Sequence, residues 1–171
     1  FGEEVGEKGM DEEGFSGRDG RTTIFDWWSI ASIRRLRKLI ASGKYRSASV
    51  SELVENGLMK EEAELFLRFT EAVRFAAEDC SIRQGTTYDL CYCNMSSDGF
   101  DKNRHFVFLR DYEEHTLLIA ANFSNREAVM KLVIPEHAFE WMGIPETEVL
   151  HPGKVIEVKV QPMDGAIVTL I

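Results

Sequence analysis

The spacing of hydrophobic residues divides the chain into two parts that meet near Gly85. Before this residue, apolar side chains recur every three or four positions, which predicts helices; after it they alternate with polar ones, which predicts strands. The predicted helices run from about Asp26 to Gly43, from Ser51 to Asn56 and from Lys60 to Cys80. Helices followed by a run of antiparallel strands predict an α+β fold with segregated domains.

Six strands are predicted in the second part, separated by turns rich in Gly, Pro, Asp and Asn. They are Thr86–Cys93, Arg104–Arg110, Thr116–Phe123, Val129–Ile134, Val155–Gln161 and Ala166–Ile171. One short helical turn is expected over His137–Met142. We predict an antiparallel Greek-key β-sandwich for this part, with domains at 1–83 and 84–171.

The first 23 residues contain six glycines and many acidic side chains. This composition predicts a long, glycine-punctuated loop, and loops of such length are often functional or disordered. Asp26 follows the loop and precedes an apolar helical pattern, so it fits the N-cap position of the first helix.

Charge and hydropathy exclude two classes of partner. The net charge is -9, from 29 acidic and 20 basic residues, whereas a nucleic-acid groove needs clustered Lys and Arg. The one dense basic stretch, 34–38, belongs to an amphipathic helix and is interpreted as its solvated face. No apolar run approaches the roughly 20 residues that cross a bilayer. The first residue is Phe1, not Met, so we expect a piece of a longer protein, whose compartment stays open.

Cysteine and histidine spacing gives no support for a metal site or a cofactor. Cys91 and Cys93 lie two apart on a predicted strand, point to one face and are poorly placed to form a disulfide with each other. With Cys80 the number is odd, so we expect free thiols. No pair of histidines has the spacing of a metal motif. The four histidines are His105, His115, His137 and His151.

Aromatic residues offer a candidate carbohydrate site. Tyr88 and Tyr92 lie four apart on one predicted strand face, and Trp141 lies in the short helical turn. Exposed, these rings could stack on sugars; buried, they would belong to the core, where aromatic side chains contribute large areas. We favour the core and keep the sugar platform as the alternative. Asn94 and Asn122 begin glycosylation sequons, and we interpret both as structural.

The order of several motifs resembles that of the α-amylase family of glycosidases. Phe1–Gly6 resembles the segment that closes the eighth barrel strand, and Gly17–Trp28 resembles a loop after that strand in a bacterial subgroup. The segments His105–Arg110 and Leu117–Ser124 are similar to a strand pair of the family's terminal β-domain. Each motif alone is moderately specific, and their shared order is more so.

The resemblance implies that residues 1–83 are a helical remnant of a (β/α)₈ barrel and that residues 84–171 are a terminal β-domain. Glu7–Thr23 would lie over the face of the barrel that carries active sites. Asp19 and Arg21 would then be candidate contacts to sugar hydroxyls. We favour the alternative that Arg21 and Asp26 form a structural ion pair or a helix cap.

Catalysis is not expected from this chain alone. Retaining glycosidases need two carboxylates about 5.5 Å apart, and in this family they come from earlier barrel strands. The resemblance therefore implies a parent enzyme that acts on α-glucans, with the missing N-terminal barrel as this segment's main partner. Without the barrel, the apolar face of the predicted helix from Lys60 to Cys80 would lack its partner. A homodimer of the fragment, in which two such faces pair, is therefore possible. The alternatives are a non-catalytic carbohydrate-binding module and a purely structural domain.

Overall fold

The computed structural model describes residues 3–6, 31–44 and 49–171 of the chain. These residues form helices and antiparallel sheets, so the predicted α+β class is confirmed at this level. Two compact units divide between residues 75 and 76, inside the long helix α3 (Lys60–Glu78). The boundary predicted from the sequence, between residues 83 and 84, lies beyond the end of that helix.

The first unit contains two further helices, α1 (Ala31–Ala41) and α2 (Val50–Glu55), and a single 3₁₀ turn at Glu3–Val5. Arg35 on α1 and Glu62 on α3 form an ion pair. The apolar faces of these elements meet in a small core. Its buried residues are Val5, Leu36, Leu39, Leu53, Leu58, Ala63 and Phe66.

Local capping explains the short helix α2. The Ser49 hydroxyl accepts a hydrogen bond from the amide of Glu52, which satisfies one of the free donors at the helix start. Asn56 ends the helix, and Gly57 follows with φ +109°, a conformation that glycine adopts easily. The helix predicted between Ser51 and Asn56 is therefore confirmed.

The third predicted helix, from Lys60 to Cys80, is confirmed as α3, and a short helix that was not predicted follows it. Helix α3 ends at Glu78, and α4 (Cys80–Gln84) begins after Asp79, whose carboxylate accepts a hydrogen bond from the amide of Ile82. Val73, an apolar residue of α3, is 53% exposed. No helix in the described ranges is long and apolar enough to span a membrane.

The second unit contains helix α5 (Glu136–Met142) and two antiparallel sheets. One sheet has the order β1-β2-β3-β6, and the other consists of β4 and β5. The strands are β1 (Thr86–Asp89), β2 (His105–Tyr112), β3 (His115–Asn122), β4 (Ala128–Val133), β5 (Val155–Val160) and β6 (Asp164–Thr169). All six overlap the strands predicted from the alternating pattern.

Inward-facing side chains of both sheets share one hydrophobic core. Val107 and Leu109 on β2 are fully buried, whereas Phe106, directly before Val107, is 47% exposed. Met130 on β4 and Val158 on β5 reach the same core from the second sheet. Period-two alternation of this kind is what a sheet with one covered face requires.

Strand β1 is shorter than predicted. The alternating pattern continues to Cys93, but the strand ends at Asp89, and residues 91–93 form a turn. The carboxylate of Asp89 accepts a hydrogen bond from the amide of Cys91 at 2.7 Å, which replaces the strand ladder with a local turn. The placement of Cys91 and Cys93 on a strand was therefore wrong. Both cysteines are free thiols in the structure.

Both sequon asparagines have structural roles, as interpreted from the sequence. Asn122 is 1% exposed, and its amide nitrogen donates to the carbonyl of Arg126 at 2.7 Å. Asn94 is completely buried. Its amide donates to the carbonyl of Val133 at 2.9 Å and accepts from the Val133 amide at 2.8 Å, so it joins its turn to the end of β4.

Gly99 should be the glycine of the second unit that tolerates a side chain least. Its φ is +77°, and a Cβ at this position would lie 1.8 Å from the carbonyl oxygen of Val129. Gly153 has almost the same φ, +76°, but open space around it. We expect Gly153→Ala to lose about 1 kcal/mol through backbone strain, and Gly99→Ala to lose about 1–3 kcal/mol more through the clash. Urea unfolding measures both, and equal losses would contradict this packing.

Candidate functional site: an aromatic groove

The three aromatic residues singled out from the sequence meet at one open groove in the second unit. Its volume is about 340 Å³. Strand β1, the turn after it and helix α5 supply its walls. The residues that line it are Thr87, Tyr88, Asp89, Tyr92, His137 and Trp141.

Tyr88 forms the floor of the groove. It is the one buried position of β1, and only 8% of it is exposed, because its ring belongs to the core of the second unit. Its hydroxyl lies 2.5 Å from the Tyr92 hydroxyl and 3.0 Å from Nδ1 of His137. A buried phenol hydroxyl without partners would lower the stability of the fold by about 1–3 kcal/mol. These two contacts therefore keep Tyr92 and His137 beside Tyr88.

The turn after β1 places Tyr92. Asp89 starts this turn through its bond to the Cys91 amide. Asn94 then anchors the end of the turn, since its amide also donates to the Leu90 carbonyl at 2.9 Å. Tyr92 is consequently held beside Tyr88 even though it is not on the strand.

Helix α5 places His137 and Trp141. The two residues lie four positions apart, so their side chains leave the same face of the helix. Ala138 and Phe139 on the opposite face are buried in the core. Gly143 ends the helix with φ +72°, and its amide donates to the Phe139 carbonyl at 2.9 Å. The buried face of α5 therefore fixes the direction in which Trp141 points.

The rings form tilted walls around Tyr88. Its ring centroid lies 6.2 Å from that of Tyr92 and 5.9 Å from that of Trp141, at interplanar angles of 51° and 52°. The His137 ring lies 5.8 Å away at 47°. These are ordinary distances for aromatic contacts, and the tilt leaves the groove open.

The three aromatic residues differ in how far they are buried. Tyr88 belongs to the core, as favoured from the sequence. Tyr92 and Trp141 are 51% and 56% exposed, so the expectation of core packing was wrong for these two. The reason given for their proximity was also wrong in part, because Tyr92 lies in a turn and does not share a strand with Tyr88.

The titratable groups of the groove floor are held in their neutral forms. Burial, followed by the hydrogen bond to Tyr92, raises the pKa of the Tyr88 phenol well above its ordinary value. Burial also raises the pKa of the Cys91 and Cys93 thiols. At neutral pH the groove therefore offers a protonated Tyr88 hydroxyl, and the two thiols of the neighbouring turn, which do not line the groove, are protonated as well.

Sequence reasoning missed three lining residues: Thr87, Asp89 and His137. His137 is 49 positions from Tyr88, and no periodicity connects them. The available signal was local, since His137 and Trp141 have the spacing of one helix face. The candidate loop residues Asp19 and Arg21 lie outside the described residues.

The arrangement is suited to binding. In the part of the chain that the structure describes, no group of three or more His, Cys, Asp or Glu side chains could hold a metal ion. Exposed ring faces beside a carboxylate, an imidazole and a threonine hydroxyl can hold a ligand that is apolar on one face and polar at its edge. A scan against protein-family models and a search of curated proteins found no match to this chain.

Proposed function

We propose that this chain is the C-terminal part of an α-amylase-type glycosidase that acts on α-glucans by a retaining mechanism. In this proposal residues 1–83 derive from the eighth βα unit of the barrel, and residues 84–171 form the terminal β-domain. The nucleophile and the acid/base belong to the rest of the parent enzyme. The proposal rests first on the order of the sequence motifs.

The strand pairing supports this assignment. The two motifs of the family's terminal domain, His105–Arg110 and Leu117–Ser124, fall on β2 and β3, which pair as an antiparallel hairpin. Strand β6 returns beside β3 after β4 and β5 have formed the second sheet. This return is compatible with a Greek key, and we propose that topology for the domain.

The function of the terminal domain that the geometry supports best is a non-catalytic contact to α-glucan in the aromatic groove. The observation that carries it is the exposure of the Tyr92 and Trp141 rings on either side of the buried Tyr88 ring. Core packing alone does not require half-exposed rings at two walls of one groove. A sugar ring has an apolar C–H face that can lie on such a ring.

Hydrogen-bonding groups beside the rings suit the sugar's edge. Asp89 can accept from sugar hydroxyls, the Thr87 hydroxyl, which accepts from Arg110, can donate, and Nε2 of His137 donates or accepts according to the tautomer. None of the lining residues in the described ranges is Lys or Arg. The groove therefore favours an uncharged glycan over a phosphorylated or otherwise anionic one.

Trp141→Ala should weaken maltooligosaccharide binding, because it removes one exposed wall. Isothermal titration calorimetry with maltoheptaose should give saturable heat for the unchanged chain, and at least about a tenfold loss for the variant, as expected when one stacking ring is removed. Phe123→Ala is the matched control, since Phe123 is 65% exposed and does not line the groove. Absence of heat with the unchanged chain, or equal losses in both variants, would refute glucan binding in the groove.

The exposed apolar face of α3 supports the proposed barrel partner. Leu65, Phe69 and Val73 follow one another at intervals of four residues and are 37%, 42% and 53% exposed. Contiguous apolar surface of this kind marks an interaction site. We propose that the parent's barrel covers this face and that, without the barrel, a second copy of the chain does so.

The isolated chain should therefore self-associate. Light scattering over a concentration series should show a mass above that of the monomer, and Phe69→Lys should shift it towards the monomer because a charge then lies on the apolar face. Val149→Lys adds the same charge at a residue that is 76% exposed outside α3 and should leave the mass unchanged. A monodisperse monomer at the highest concentration would contradict the homodimer.

A further inference from the structure

The aromatic groove has an acidic character. Asp89 lies in its wall, and the hydrogen bond from the Cys91 amide at 2.7 Å fixes the carboxylate at the end of β1. Helix α5, which carries His137 and Trp141, also has exposed carboxylates at Glu136 and Glu140, which lie outside the lining of the groove. In the described part of the chain, no Lys or Arg lines the groove itself, and the nearest cation shown is the Arg110 guanidinium, which donates to the hydroxyl of the lining residue Thr87.

The negative charge of Asp89 reaches the groove floor. Burial is the main reason why the pKa values of Tyr88, Cys91 and Cys93 are raised, and the charge of Asp89 adds to the effect on each of them. A positive charge placed between the rings would therefore be attracted by this carboxylate. It would also be near the faces of three aromatic rings.

Ring geometry indicates the shape of the charged group. The Tyr92 and Trp141 rings are each tilted by about 50° from the Tyr88 ring, so the three rings do not form one flat platform. Each of these two ring centroids lies about 6 Å from the Tyr88 centroid, so a compact, rounded group in the groove can lie close to more than one ring. Cations held within about 6 Å of aromatic centroids gain cation–π attraction, and Trp is the strongest partner.

We propose that the aromatic groove binds an organic ammonium group, with Tyr92, Tyr88 and Trp141 as cation–π walls and Asp89 as the counter-charge. The ammonium group belongs either to an amino sugar or to a free quaternary amine. If the ammonium group belongs to an amino sugar, the inference extends the proposed carbohydrate contact, because the groove would then prefer a cationic saccharide to a neutral one. The inference uses the same groove as the glucan proposal but does not depend on neutral glucan binding there.

Choline and its neutral isostere 3,3-dimethylbutan-1-ol provide the direct test, since they share a shape and differ in charge. NMR titration of the unchanged chain should show choline binding at least about tenfold more tightly, the ratio expected from cation–π attraction. Equal affinity for the two compounds, or no binding of either, would overturn the proposal. This comparison needs no variant, so it does not depend on the folding of one.

Variants of the lining residues show which side chains are responsible for choline binding. Asp89→Asn keeps the acceptor oxygen for the Cys91 amide but removes the charge, so it should weaken choline binding up to about fivefold and leave the isostere unchanged. Tyr92→Phe keeps the ring face and should retain choline binding. Trp141→Ala should lose it, and Phe123→Ala is the control. Retained choline affinity in Trp141→Ala would contradict the assignment to this groove.

Titration with two saccharides distinguishes the two possible sources of the ammonium group. It also distinguishes the ammonium proposal from the glucan proposal. A trimer of glucosamine that binds and is displaced by choline supports the amino sugar; choline binding without trimer binding supports the free quaternary amine. Maltotriose tests the glucan proposal independently. Binding of maltotriose without choline overturns the ammonium inference alone, and binding of choline without maltotriose overturns the neutral-glucan proposal alone.

Discussion

Burial of the inner faces of two sheets in one core is the constraint on which the second unit depends. Strands β2, β3, β4 and β5 each direct alternate side chains into this core, and α5 adds Ala138 and Phe139 from outside the sheets. Tyr88 is a member of this core, and its side chain carries a hydroxyl group. Because its hydroxyl needs partners, the turn with Tyr92 and the helix with His137 are held together at one edge, and this edge is the groove.

Much of the fold could be predicted from the sequence where one physical rule governs a segment. Strands β2 and β3 follow the alternating pattern because one sheet face is covered, and their predicted ends are within two residues of the observed ones. The hydrophobic pattern does not predict the ends of elements where a polar side chain forms a hydrogen bond with a backbone amide. Asp89 ends β1 by binding the Cys91 amide, and Asp79 starts α4 by capping Ile82. Both are short polar side chains of the kind that favours turns and caps.

The candidate site could be predicted only in part. Tyr88, Tyr92 and Trp141 were recognisable as aromatic residues with a possible sugar role, but their exposure depends on tertiary packing that the sequence does not state. His137 and Asp89 could not be assigned, because each becomes part of the site only when α5 lies beside β1 and its turn. The spacing of His137 and Trp141 places them on one helix face; the burial of Ala138 and Phe139 determines that this face is the outer one.

The central claim is that ligand lies against the exposed ring of Trp141. The most direct measurement is the NMR signal of the Trp141 indole N–H, assigned by its loss in Trp141→Phe, during titration with maltoheptaose. The account predicts a saturable shift of this signal together with those of the Tyr92 and His137 amides, while the Phe123 amide stays in place. Saturable shifts confined to other parts of the chain, or no shift at millimolar glucan, would contradict it.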